Sequence, residues 1–442
     1  MLYLYSIILY LMTPFVLLRL IQRGFSNRGY WLRWNERFGR VDPPIDTRPL
    51  VWIHAVSVGE TQAALPLVQR LLADYPQYQL LLTTVTPTGS AVVRNKYGKQ
   101  LLHCYFPYDL PHVVHRFLER IKPVALIVLE TEIWPNLYHQ CQARGINIIM
   151  ANARLSQKSF DGYRKLAGLT RRVLGRVDMI AAQSEEDAQR LVALGADPGR
   201  ITVTGNLKFD VNITDDVIDR GGVIKRSLGP SRPVWIAAST HEGEEQIILT
   251  AHRKVIEVYP DCLLVLAPRH PERSASVLEL CIGQDYSARC KSNIKGQVYS
   301  EDTGQIQVLI LDTIGELPDY YAAADVAFVG GSLLPVYGGH NVLEPAALGV
   351  PVVTGEFTTN FNEINRLLLE NQAEFRVTDS EQLAGRILQL LTDQGLRRQM
   401  GDSAAALVKH NRGSAERIMD MVSKVLPRET NRDGGGVDGL AT

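Results

Sequence analysis

Val51 to Gln62 reads VWIHAVSVGETQ, and the fold turns on how that stretch divides. It begins as a continuous apolar run of strand length and breaks into a helix, with a carboxylate, Glu60, at the break. The second half of the chain repeats it: VWIAASTHEGEEQ starts at Val234, with its own Gly243–Glu244 pair. In both halves the order is strand, Gly-Glu, helix, Tyr-Pro, strand, the tyrosines being Tyr75 and Tyr259. The repeat predicts two similar lobes. As local structure, Glu60 is a first-turn carboxylate favoured by the helix dipole, which is expected to lower its pKa and keep it ionised.

Outward from these starts, apolar runs follow one another: LLLTTV, LLHCYF, VALIVL, INIIMA, DMIAA and ITVTG, then LLVLAP, QVLILD, DVAFVG, PVVTG and EFRV. Most are separated by helical spacing, which argues for parallel sheets covered on both faces. The chain has 442 residues. Single cores stop growing at about 250–300 residues, so two α/β lobes are expected. The predicted organisation is an anchor over 1–22, an N-terminal Rossmann-like domain over 23–210 and a polar linker over 211–232. A C-terminal Rossmann-like domain over 233–425 and a disordered tail over 426–442 complete it. Two such lobes facing each other imply a ligand cleft between them.

Lys plus Arg and Asp plus Glu stand at 47 each, so no global field favours nucleic acid. The five cysteines are scattered without metal-ligand spacing, which fits a reducing compartment. No Walker loop and no G-x-G-x-x-G after the first strand of either half is present, which argues against NTP hydrolysis and hydride transfer.

Met1 to Leu18 carries no charged side chain, and Pro14 interrupts the run. Arg19, Arg23, Arg28, Arg33, Arg37 and Arg40 follow, against the single acidic Glu36, with Trp31 and Trp34 among them. Apolar length followed by arginines and interfacial aromatics reads as a membrane anchor or deep interfacial helix, with the bulk of the chain on the cytoplasmic side. A buried core helix is the competing reading. A cleaved signal peptide fits poorly, since the charge follows the apolar run instead of preceding it.

Ligands of open α/β sheets bind beyond the carboxyl ends of the strands, and the polar clusters fall there. Glu60 follows the first strand, and Glu130 follows VALIVL. PRHPER places Arg269, His270 and Arg273 after LLVLAP, suited to a negatively charged donor. The densest segment is GGSLLPVYGGHNVLEPAALGVPVVTG, from Gly330 to Gly355. Pro345 cannot sit in a helix interior, so its helix must start near Asn341. Gly338 and Gly339 let backbone approach a ligand there, and a nucleotide phosphate fits the free N–H groups. Asn341 and Glu344 also suit a capping-box variant. Lys208, in GNLKFD, lies just past ITVT, where a lysine is more often surface than site.

The segments VSVGE, LETEIWPN, NARLS, GNLKFD, PRHPER and GGHNVLEPAALGVPV, with the N-terminal anchor, resemble the bacterial 3-deoxy-D-manno-octulosonic acid (Kdo) transferases of lipopolysaccharide assembly. The resemblance implies a GT-B glycosyltransferase at the bacterial inner membrane, with CMP-Kdo as donor and lipid A precursor (lipid IVA) as acceptor. It implies Glu60 as general base, with Glu130 and Lys208 supporting the transition state. It places CMP against Pro268 and Arg269, against Ile314, Gly315 and Glu316, and against Asn341, Val342, Leu343 and Glu344. No metal or cofactor is expected. SLLPVYGGHN runs slightly longer than the family's usual form and carries Pro335 and Tyr337. Two alternatives stand beside this reading: a nucleotide-sugar epimerase of the same fold, and a non-catalytic, membrane-tethered nucleotide-sugar binding protein.

Overall fold

In the computed structural model, which describes residues 1–294 and 306–427, the apolar runs form two parallel seven-stranded sheets. The chain divides into two compact units, one of Met1–Asp210 with the segment from Arg412 onward, the other of Val211–Asn411.

The first unit contains β1 (Leu50–His54), β2 (Gln79–Thr84), β3 (Leu102–Tyr105), β4 (Pro123–Leu129), β5 (Asn147–Ala153), β6 (Met179–Ala182) and β7 (Ile201–Val203). They lie in the order β3-β2-β1-β4-β5-β6-β7, all parallel. Side chains alternate across a strand, so β1 serves two cores. Trp52 packs with Phe106, Phe117 and Leu126 on one face, and Val51 and Ile53 pack with Leu67 and Leu71 on the other. This double burial is why the strands read as continuous apolar runs.

The second unit contains β8 (Val234–Thr240), β9 (Leu263–Pro268), β10 (Ala288–Cys290), β11 (Val308–Ile310), β12 (Val326–Val329), β13 (Val352–Thr354) and β14 (Glu374–Arg376). Their order is β10-β11-β9-β8-β12-β13-β14, again all parallel. The first strand of each repeat is therefore central, and the strand order reverses beside it. β10 is absent from the sequence reading because Ala-Arg-Cys, at the sheet edge, offers no apolar run.

Two expectations about the ends of the units change. Residues 211–232 are not a bare connection: Asp215–Leu228 is a helix packed on the helix Leu317–Ala323, with Arg220 forked onto Asp319 at 2.8 and 3.0 Å. The helix Ser414–Ser423 returns to the first unit, against the helix Leu65–Asp74. Its start is held by Asp210, whose carboxylate accepts the N–H groups of Gly413 and Ala415 at 2.6 and 2.5 Å. The expected disordered tail lies, from residue 428 on, outside the described residues.

The N-terminal helix, Leu2–Ser26, is long and apolar enough to cross a membrane, and it continues through Pro14. Only Ser6, Leu20 and Gly24 are buried, so it is not a core helix. Leu4, Ile7, Leu11, Phe15 and Leu18 are all exposed. Polar contacts tie its first turns to the first unit: Tyr5 donates to Asp109 and Ser6 to Asn136, each at 3.0 Å.

Candidate functional site

In the first unit the order reverses between β1 and β4, the place where α/β sheets bind ligands. Ser57 caps the helix Val58–Ala63 by accepting the Glu60 N–H, and the Glu60 carboxylate reaches back to the Val56 N–H at 2.7 Å and the Ser57 hydroxyl at 2.9 Å. The capping reading and a functional reading are compatible, because these bonds use one acceptor position on each oxygen. A carboxylate has about four, so each oxygen keeps room for a further donor.

Glu130, just past β4, is held at φ +57°, a left-handed conformation that is strained for a glutamate. Its N–H is anchored on the Ala151 carbonyl at 2.9 Å. At the end of β5, Asn152 is also left-handed, and its Oδ1 accepts the Leu207 N–H at 2.9 Å. That bond fixes the GNLK segment and so places Lys208 beside Glu130, whose charge it favours.

The electrostatics correct one expectation. Burial, then the Glu130 charge, raises the pKa of Glu60, outweighing the N–H and hydroxyl bonds that lower it. Burial likewise raises Glu130, against Lys208 and Arg154. Glu132, absent from the sequence-based set, is pushed furthest, to about 8, by burial and by Glu60 and Glu130. Its place in ETE, two residues past Glu130, was the available clue. Three carboxylates in one partly buried cluster do not all ionise easily, which makes this a place for holding and moving a proton.

In the second unit the corresponding reversal lies between β8 and β12. Here Glu244 takes four backbone N–H groups, from His241, Gly331, Ser332 and Leu333, at 2.7–3.0 Å. Its acceptor positions are filled, so it is a buried staple for the glycine-rich loop. The two Gly-Glu pairs thus share a fold position and differ in availability.

Pro268 ends β9 and is buried, whereas Arg269 and His270 are exposed. Arg273 is already engaged, forked onto the buried Glu245 at 2.8 and 3.3 Å. Ile314 is 89% exposed. Gly315 follows it, and Glu316 accepts the Thr313 hydroxyl at the start of the helix Leu317–Ala323. Gly339, at φ +79°, donates its N–H to Gly331 at 2.7 Å. The helix after it is Leu343–Ala347, with Pro345 in its first turn as expected. Asn341 accepts the Leu343 N–H and donates to Glu344, both at 3.1 Å. Val342 and Leu343 are buried. Arg269 and the amide groups around Asn341 suit an anion. The sequence reading missed His241, which joins His340 and Tyr337 in this unit; its signal was STHEGE, the repeat's counterpart of VSVGE.

Residues 32–211 match the family described as 3-deoxy-D-manno-octulosonic-acid transferase (kdotransferase), and residues 231–406 match glycosyl transferases group 1. A protein of Haemophilus influenzae named 3-deoxy-D-manno-octulosonic acid transferase is 38% identical over 96% of this chain and 98% of its own length. Its namesake in Bordetella pertussis is 36% identical over 96% of this chain and 99% of its own. In fold, the chain is similar to UDP-GlcNAc 2-epimerase from Neisseria meningitidis, with a TM-score of 0.53 at 14% identity, covering 85% of this chain and 100% of that one.

Proposed function

The chain belongs to the 3-deoxy-D-manno-octulosonic acid transferase family of glycosyltransferases, and on that premise we propose that it moves Kdo from CMP-Kdo to a hydroxyl of lipid IVA with inversion, Glu60 being the general base. The observation that carries this reading is the state of Glu60: its position is fixed by Val56 and Ser57, and both its oxygens have room for another donor. A sugar hydroxyl is a poor nucleophile, so a carboxylate must take its proton as the oxygen attacks the anomeric carbon. The bond from that carbon to the CMP phosphate then breaks, and one displacement inverts the centre. The raised pKa of Glu60 makes it a stronger base than an exposed glutamate. Glu130 and Lys208 support the charge distribution around it.

On the donor side, Pro268, Arg269, His270, Ile314, Gly315, Glu316 and the segment Asn341–Glu344 hold CMP, with Arg269 and the amides near Asn341 answering the departing phosphate charge. Arg273 contributes through Glu245, as a support for the loop. These groups supply the stabilisation without calling on a metal. The exposed apolar side chains of the helix Leu2–Ser26 and the arginines after it favour an anionic inner-membrane surface, where an acylated, phosphorylated acceptor lies, with the two units on the cytoplasmic side.

The test is to incubate the purified protein with CMP-Kdo and dispersed lipid IVA in chelator and follow the lipid by mass spectrometry. A mass increase of one or more Kdo residues is expected; an unchanged lipid overturns the proposal. An epimerase would alter the nucleotide sugar and leave the lipid unchanged. A binding protein would leave both unchanged.

A further inference from the structure

Three strand-end loops of the second unit meet in a cluster of rings. His241 comes from the turn after β8, and Tyr337 and His340 come from the loop after β12. Tyr337 lies on His241 with centroids 3.8 Å apart and planes 11° from parallel, and His340 lies beside His241, edge to edge, with centroids 5.0 Å apart and planes 16° from parallel. His270, from the loop after β9, meets His241 edge-on at 5.9 Å. Across that edge His241 Nε2 and His340 Nε2 are 2.7 Å apart. Two nitrogens approach so closely only when one carries a proton and the other presents its lone pair.

Gly331 makes room for this. A Cβ there would stand 2.7 Å from His340 Cδ2, and its φ of +68° suits glycine. The neighbours include two arginines: Arg269, Arg273 and His270 face His241, and Arg269 and His270 face His340. Burial, and then these neighbours, lowers each imidazole to about 4, so both are neutral and the single shared proton persists across the physiological range.

We infer that the His241–His340 hydrogen bond positions the donor-binding loops, fixing His340, and with it the adjacent Asn341–Glu344 segment, against the turn whose Thr240 carbonyl accepts the Arg269 N–H at 2.9 Å. This rests on the reading that the second unit binds the cytidylate of the donor. Both histidines are positioning residues: they act through Arg269 and Asn341.

The test combines CMP binding by calorimetry at pH 7.5 with NMR of the ring nitrogens in protein labelled at histidine. In the unmodified protein, a nitrogen–nitrogen scalar coupling between two Nε2 atoms is expected, and its absence overturns the inference whatever the variants do. His340→Ala is expected to weaken CMP by about tenfold, the worth of one hydrogen bond. His340→Gln, which can donate or accept at that position, is expected to stay within about threefold of the unmodified protein. If His340→Ala binds CMP as well as the unmodified protein, or His340→Gln is as weak as His340→Ala in folded protein, the assignment falls while the donor-site reading stands. If the unmodified protein does not bind CMP, both fall.

Discussion

Glu60 accepts the backbone N–H of Val56 at 2.7 Å, so the carboxylate that begins the helix is folded back toward the end of β1. One side chain closes a helix end and, on the same two oxygens, keeps acceptor room at the place where the strand order reverses.

Glu60→Gln preserves the size of that side chain and removes its basicity. Kdo transfer is expected to fall by about a hundredfold or more, with thermal unfolding nearly unchanged. In the unmodified enzyme the acid limb of the rate profile should lie above the ordinary carboxylate range near about 4.3, because burial and Glu130 raise the Glu60 pKa and the base is lost as pH falls through it. An acid limb at the ordinary value, or full activity in the variant, counts against Glu60 as base.

Glu132 makes a prediction about stability. Its folded-state pKa of about 8 lies above the value in an unfolded chain. The folded form therefore holds a proton that the unfolded form releases first, and stability falls as pH rises from about 4.5 toward 8. Glu132→Gln should match the unmodified protein near pH 4.5 and exceed its melting temperature by about 2 °C or more at pH 8. Equal melting temperatures at both values would refute it.

Glu244 has a counterpart position and a different task, so its loss should read differently. Glu244→Ala leaves four buried backbone N–H groups without their acceptor and should cost about 3 kcal/mol in urea unfolding. The matching change at Glu60, with fewer bonds to lose, should cost less stability and more activity.

The N-terminal helix should be separable from folding. Leu11 and Phe15 are 69% and 64% exposed, so Leu11→Glu with Phe15→Glu removes apolar surface without touching a core. Sedimentation with vesicles containing phosphatidylserine should fall by about tenfold while the melting temperature holds. Unchanged sedimentation would exclude this face as the membrane contact.

The residues alone determined the two-sheet architecture, because the central strands, buried on both faces, must be apolar, and thirteen of the fourteen described strands lie in runs legible in the sequence. β10, an edge strand of Ala-Arg-Cys, has no apolar run to show. The Gly-Glu repeat, Pro345 as a first-turn residue and the polar clusters at strand ends were likewise legible, since each rests on neighbours in the chain. Tertiary structure decided whatever depends on what comes near. It set Glu60 apart from Glu244, because only folding brings the Gly331–Leu333 amides onto one of them. It raised the Glu60 pKa where the helix dipole alone predicted a fall, because burial and Glu130 act through space and outweigh one helix end. It committed Arg273 to Glu245, and it set His241 against His340 although 99 positions separate them. Spacing along a chain encodes periodicity and backbone geometry, while desolvation and proton sharing depend on distances that only the folded packing creates.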